Sequence, residues 1–121
     1  MKTIHNVKIF GPVLDEQTRC THYHSPTDII AILFPCCQRF YPCYKCHEEE
    51  TNHAPVKWKE SQFNTEAILC GQCGAKLTIH EYMKNGACLT CKASFNPGCK
   101  HHYPIYFEQP TESAEEKRRT L

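Results

Sequence analysis

The stretch YPCYKCHEEETNHAP, Tyr41 to Pro55, brings two cysteines and two histidines, Cys43, Cys46, His47 and His53, into one short run. Cys46 and His47 are adjacent, and side chains of neighbouring residues diverge in regular backbone, so both reach one ion only at the expense of strain. The four residues therefore read as halves of two sites, Cys43/Cys46 and His47/His53. Their complements have to lie elsewhere in the chain.

Working outward, the candidate complements are Cys20/His22 and Cys36/Cys37 upstream, followed downstream by Cys70/Cys73 and Cys88/Cys91. Twelve ligands make three tetrahedral sites. The downstream pairs are the simplest: two C-x2-C turns, CGQC and CLTC, have ribbon or knuckle spacing, so Cys70, Cys73, Cys88 and Cys91 form one all-thiolate site. Gly74 after the first turn supplies a flexible backbone position. Closing Cys43/Cys46 with Cys20/His22, and His47/His53 with Cys36/Cys37, joins first pair to third and second to fourth. This is an interleaved cross-brace.

Composition decides between metal and disulfide. Ten cysteines and eight histidines occur in 121 residues. A disulfide scaffold has no use for histidine at regular offsets from cysteine, whereas zinc takes both ligand types. The N-terminal MKTIHNVKIFGPVLDEQ has no uninterrupted apolar run or cleavage site of a signal peptide, so the expected setting is a reducing compartment, the cytoplasm, where thiolates stay available to metal. No segment approaches membrane-spanning length. A mean hydropathy of -0.56 predicts little hydrophobic core, with metal supplying the stability that core would otherwise provide. The expected fold is a small zinc-stabilised α+β domain, a cross-braced zinc finger plus a four-cysteine ribbon or knuckle, holding three zinc ions.

The remaining elements follow from local pattern. Residues 1–19 read as an N-terminal strand or arm, with VKIFGPV an edge strand entering a Gly-Pro turn. TDIIAILFP is a buried strand ended by Pro35. HEEETNHAP makes one helical turn between its histidines, VKWKESQFNTEAILC leads through an amphipathic stretch into a strand, and AKLTIHEYMKNGAC is a strand pair or short helix closed by Asn85-Gly86. Residues 20–108 form the zinc-binding domain, and residues 109–121 read as a disordered polar tail.

Other residues have plainer readings beside functional ones. His5, His24 and His80 lack a partner at ligand spacing and read as structural or surface residues, with His24 an alternative to His22 across Tyr23. Glu48 to Glu50 form a solvated face, one carboxylate of which can orient a ligand histidine. Trp58, Phe63 and the C-terminal aromatics read as core packing. Cys99 is left over from the twelve; with His101 or His102 it is an incomplete fourth site or an activated thiolate, or else a buried apolar residue, and C-x2-H spacing favours His102.

CTHY, PCCQRFYPCYKCHEEETNH, CGQC and CLTC together resemble the CHY-type zinc finger, over about sixty per cent of the chain (Cys20 to Cys91). The resemblance implies three zinc ions in the grouping above. The string CKASFNPGCKHHYPIYFE is similar to the compact, single-domain branch of that family. That likeness implies a zinc-binding partner of cysteine-rich proteins, able to withdraw their metal. Relatives that act as ubiquitin ligases carry a RING after this domain; here only Cys99 and two histidines follow Cys91, too few for one.

Function follows as an expectation. Lys and Arg total 14 against 13 acidic residues, a formal +1; nine ligand thiolates and three divalent ions move this to about -2. That argues against nucleic acid, which needs a basic stripe. Four protein ligands per site leave no open position for catalysis, so no enzyme is expected. The leading expectation is a structural zinc module that contacts another protein. The alternative is a zinc or thiol handling factor that exchanges metal or redox state with cysteine-rich clients.

Overall fold

The computed structural model describes residues 2–54, 56–96 and 106–107. Six strands form one sheet: β1 (Lys2–Ile4), β2 (Val7–Ile9), β3 (Ile30–Phe34), β4 (Arg39–Tyr41), β5 (Ile68–Cys70) and β6 (Lys76–Leu77), in the order β1-β2-β4-β3-β5-β6. Two helices, α1 (Tyr44–Glu50) and α2 (Ile79–Asn85), and a single 3-10 turn over Glu60–Gln62 complete the described elements. Strands predominate, with the helices added at their ends.

β3 lies near the centre of the sheet, antiparallel to β4 on one side and β5 on the other. Its sequence IAILF explains that position. Ile30, Ile32 and Phe34 face one layer and Ala31 and Leu33 the opposite one, so both faces are apolar and neither tolerates water. The first layer continues through Tyr41, Ile68, Cys70 and Leu77 and packs against Cys46 of α1 and Ile79 and Tyr82 of α2. The second holds Ile4, Ile9, Phe40 and Leu69. The core is thus larger than the mean hydropathy predicts: the average is depressed by charged loops, while apolar residues concentrate in the strands.

The edge-strand reading of VKIFGPV is corrected. β2 is paired on both sides, antiparallel to β1 and parallel to β4 with Ile9 opposite Phe40, and β1 takes the edge. The β1–β2 turn is His5-Asn6, both left-handed with φ of 52° and 65°, the twist a two-residue hairpin requires. A three-residue strand with one alternation carries no local signal for a second neighbour.

The helical turn expected between the histidines also moves: α1 begins at Tyr44, before His47, and ends at Glu50, leaving His53 in the following loop. Seven residues are too few for an autonomous helix. Its ends are held by contacts: Tyr44 N–H donates to the Tyr106 hydroxyl at 2.8 Å, and the Thr51 hydroxyl donates to His47 O at 2.7 Å. AKLTIHEYMKNGAC resolves into β6 plus α2. Thr78 and Glu81 form a reciprocal capping box, and Gly86 ends the helix at φ 65°.

Trp58, Phe63, Tyr106 and Phe107 are buried, and the Trp58 indole N–H donates to Leu33 O at 2.7 Å. Cys99, His101, His102 and the tail 109–121 lie outside the described residues.

Candidate metal centres

The structure brings the twelve residues together in three groups of four: Cys20, His22, Cys43 and Cys46; Cys36, Cys37, His47 and His53; Cys70, Cys73, Cys88 and Cys91. Within each group the ligand atoms all lie within 4.8 Å of one another. With metal–sulfur bonds of about 2.3 Å and metal–nitrogen bonds of about 2.0 Å, a tetrahedral ion needs S···S edges of about 3.8 Å and S···N edges of about 3.5 Å. The first group has S···S distances of 3.6 and 3.7 Å and holds His22 Nδ1 at 3.5 to 3.7 Å from its three sulfurs. The third has 3.6 and 3.8 Å between sulfurs of opposite turns. In the second, Cys36 and Cys37 sulfurs are 3.7 Å apart and His47 Nε2 is 3.3 Å from Cys36 Sγ. All nine cysteines among the described residues are free thiols, at separations far beyond the roughly 2 Å of a disulfide.

α1 separates the first two groups. Successive helical side chains are about 100° apart, so buried Cys46 turns to the first site and fully buried His47 to the second. The β3–β4 hairpin presents Cys36 and Cys37 from its loop, and Phe34 at the end of β3 stacks on the His47 ring, centroids 4.5 Å apart and 8° from parallel. Tyr41 meets the same imidazole edge-on at 5.2 Å. That aromatic wall fixes the ring plane, and His53 closes the group from the exposed loop.

The third site rests on two turns of matching backbone. Cys70 N–H donates to Ala75 O and Gly74 N–H to Cys70 O; Cys88 N–H donates to Ala93 O and Lys92 N–H to Cys88 O. The residue after each second cysteine is left-handed, Gly74 at φ 84° and Lys92 at φ 66°. This turn aims both sulfurs of a C-x2-C pair the same way.

The electrostatics of the thiols ask for a cation. Hydrogen bonds from the Cys43 and Cys46 thiols hold Cys20 down to about 2, and that same exchange with Cys20 pushes Cys43 up to about 12. Cys46 is also raised, by Cys20 and then Cys43. One thiolate thus accepts from two neutral neighbours, since three anions at these distances repel strongly. In the third site burial pushes Cys70 up to about 12, while at Cys88 burial is outweighed by the hydrogen bonds of the Cys91 and Thr90 backbone N–H groups and the Cys73 and Cys91 thiols together, which bring it to about 7. A divalent ion removes this conflict by letting all the ligand sulfurs ionise.

Glu49 is the carboxylate that orients a ligand. With His22 Nδ1 among the sulfurs, its Nε2–H donates to Glu49 Oε1, the carboxylate–histidine arrangement of metal sites. Burial opposes charge on this imidazole, but Glu49 and Cys20 together raise its pKa above the ordinary value. His24 is exposed and outside the cluster. His5 instead reaches the third site's turn, its Nε2 2.9 Å from Gly71 O.

Gly11 is a site residue that spacing did not reveal. It has φ 103°, and a Cβ there would stand 2.7 Å from Cys46 Cβ and 3.1 Å from its sulfur. The turn signal of Gly11-Pro12 was visible, but not what the turn packs against.

The CHY zinc finger family profile matches residues 20–106. Among similar proteins, Helper of Tim protein 13 of Saccharomyces cerevisiae is 42% identical over 106 residues, covering 84% of this chain and 91% of that protein. Helper of Tim protein 13 of Kluyveromyces lactis is 36% identical over 105 residues, covering 87% and 92%. An uncharacterized protein of Schizosaccharomyces pombe is 38% identical over 103 residues, covering 85% and 91%. The three clusters and this match are consistent with three zinc ions.

Proposed function

The chain belongs to the CHY zinc finger family, and from that premise we propose that it is a protein-interaction module whose surface is held in shape by three structural zinc ions. The observation that carries this reading is the set of three four-donor clusters, two of them interleaved through adjacent residues of one short helix. Four protein donors per ion complete a tetrahedron and leave no position for substrate, which supports a non-catalytic role. The name Helper of Tim protein, carried by two relatives, supports a Tim protein as the partner. Native mass spectrometry of the reduced protein should give three zinc ions, and titration calorimetry against a purified Tim protein should give a saturable complex. Fewer than three ions, or no binding, defeats the corresponding half of the proposal. Nine ligand thiolates suit a compartment that keeps thiols reduced; fractionation against cytoplasmic and mitochondrial markers tests a cytoplasmic placement.

One observation favours a second reading, metal exchange with a client. The ligands are unequally covered: the three cysteines of the first site are buried, whereas Cys73 of the third and His53 of the second are exposed. A competing thiolate reaches an exposed ligand position without opening the fold. Under a mild chelator, a metal-exchanging protein loses zinc from the second or third site within minutes while the first stays loaded. Retention of all three supports the purely structural role.

A further inference from the structure

Among the described residues, the Tyr41 hydroxyl is one of two buried side-chain polar atoms without a hydrogen-bond partner, the other being Thr18 Oγ1. Tyr41 is completely buried, and its ring meets the stacked pair of Phe34, at 5.3 Å, and the ligand His47, at 5.2 Å, nearly perpendicular to both. A phenylalanine would make the same ring contacts. The hydroxyl is therefore what packing leaves unexplained, since a buried phenol without a partner is costly.

The phenol borders the second metal centre: the His47 ring that Tyr41 meets edge-on holds its Nε2 3.3 Å from Cys36 Sγ, and Cys37 Sγ lies 3.7 Å from that sulfur. Beside burial, the groups that bear on the ionisation of the hydroxyl are the Arg39 guanidinium and the Cys37 thiol. Arginine carries donors and no acceptor, so the single hydrogen of the phenol cannot go to Arg39. Sulfur is the acceptor that remains. A neutral thiol accepts weakly, but a thiolate bound to a metal carries charge and accepts well. We infer that the Tyr41 hydroxyl donates to the Cys37 thiolate of the second metal centre, making Tyr41 a positioning residue that orients this sulfur from the strand beneath it. The assignment rests on the reading that this cluster holds zinc.

The consequence is specific to one of the three sites. Groups that orient metal ligands commonly change metal affinity by about 10- to 100-fold when removed, and loss of a hydrogen bond also leaves the thiolate more nucleophilic. Tyr41→Phe in the full, zinc-loaded chain should weaken the second site about tenfold in chelator competition, leave the other two unchanged, and speed alkylation of Cys37. Cobalt substitution should show a shifted sulfur-to-metal charge-transfer band for the second site alone. If the variant folds poorly, the wild-type protein loaded with cadmium-113 provides the test without mutation. It should then show a slowly exchanging hydroxyl proton with scalar coupling to the cadmium bound by Cys37.

A Tyr41→Phe protein with equal or tighter zinc binding and an unchanged cobalt spectrum overturns the assignment, as does an uncoupled hydroxyl proton in the cadmium form. A wild-type protein that binds zinc at the first and third sites only overturns it together with the three-zinc reading. Three bound ions with an indifferent Tyr41→Phe overturn the assignment alone.

Discussion

Replacing Gly11 by alanine tests how tightly the N-terminal segment is built against the first metal centre. Two penalties add. A backbone at φ 103° is one that residues with a Cβ rarely adopt, a strain of about 1–3 kcal/mol. The new methyl would also stand 2.7 Å from Cys46 Cβ, and forcing carbon into a filled site costs about 1–3 kcal/mol more. Gly86→Ala separates the two effects, because Gly86 also has positive φ, 65°, but open space around it; only the conformational term of about 1–2 kcal/mol applies there. With a urea slope of about 1.5 kcal/mol per molar, Gly11→Ala should lower the midpoint of the zinc-loaded protein by about 3 M and Gly86→Ala by about 1 M. Cadmium-113 spectra add the locus: Gly11→Ala should displace the resonance of the Cys46 site and leave the all-cysteine site in place. Equal midpoints for the two variants, with an unshifted first-site resonance, would refute the claim that Gly11 is there for contact with Cys46.

Three further outcomes follow from the same geometry. Cys46→Ser and His47→Ala should perturb different cadmium resonances, one each for the first and second sites; perturbation of the same resonance by both removes the cross-brace. Stripping metal under reducing conditions should abolish near-UV circular dichroism, because each structural zinc contributes roughly 10 kcal/mol or more against a total stability of about 5–15 kcal/mol; a native near-UV spectrum without metal contradicts this. Zinc uptake should release protons. At pH 7 the first site holds Cys20 already ionised while Cys43, at about 12, and Cys46 are protonated. Filling it liberates about two protons, plus the fraction on His22, and affinity rises with pH through this range. Calorimetry of a chain with the other two sites ablated, in buffers of different ionisation enthalpy, measures the number; fewer than one refutes the assignment.

The metal chemistry was written locally and so could be read. Pair spacing, the order of six pairs and the adjacency of Cys46 and His47 led to the grouping of four, four and four that the structure also displays. β3 was legible for a similar reason, since an apolar run bounded by Pro35 needs no knowledge of its neighbours. Other features depend on partners far away in the chain. Nothing in Val7–Ile9 announces a parallel neighbour thirty residues on, and three consecutive glutamates look alike until helix phase turns Glu49 toward His22.

The division has a physical origin. Coordination restricts residue type, number and spacing so severely that composition and order alone leave few solutions, and these follow from the chain. Packing imposes no such restriction on residue type. Phe34 behind His47, Gly11 against Cys46 and the buried Tyr41 hydroxyl acquire their roles from side chains brought near in space, and the same residues in another sheet order would serve as ordinary core and turn.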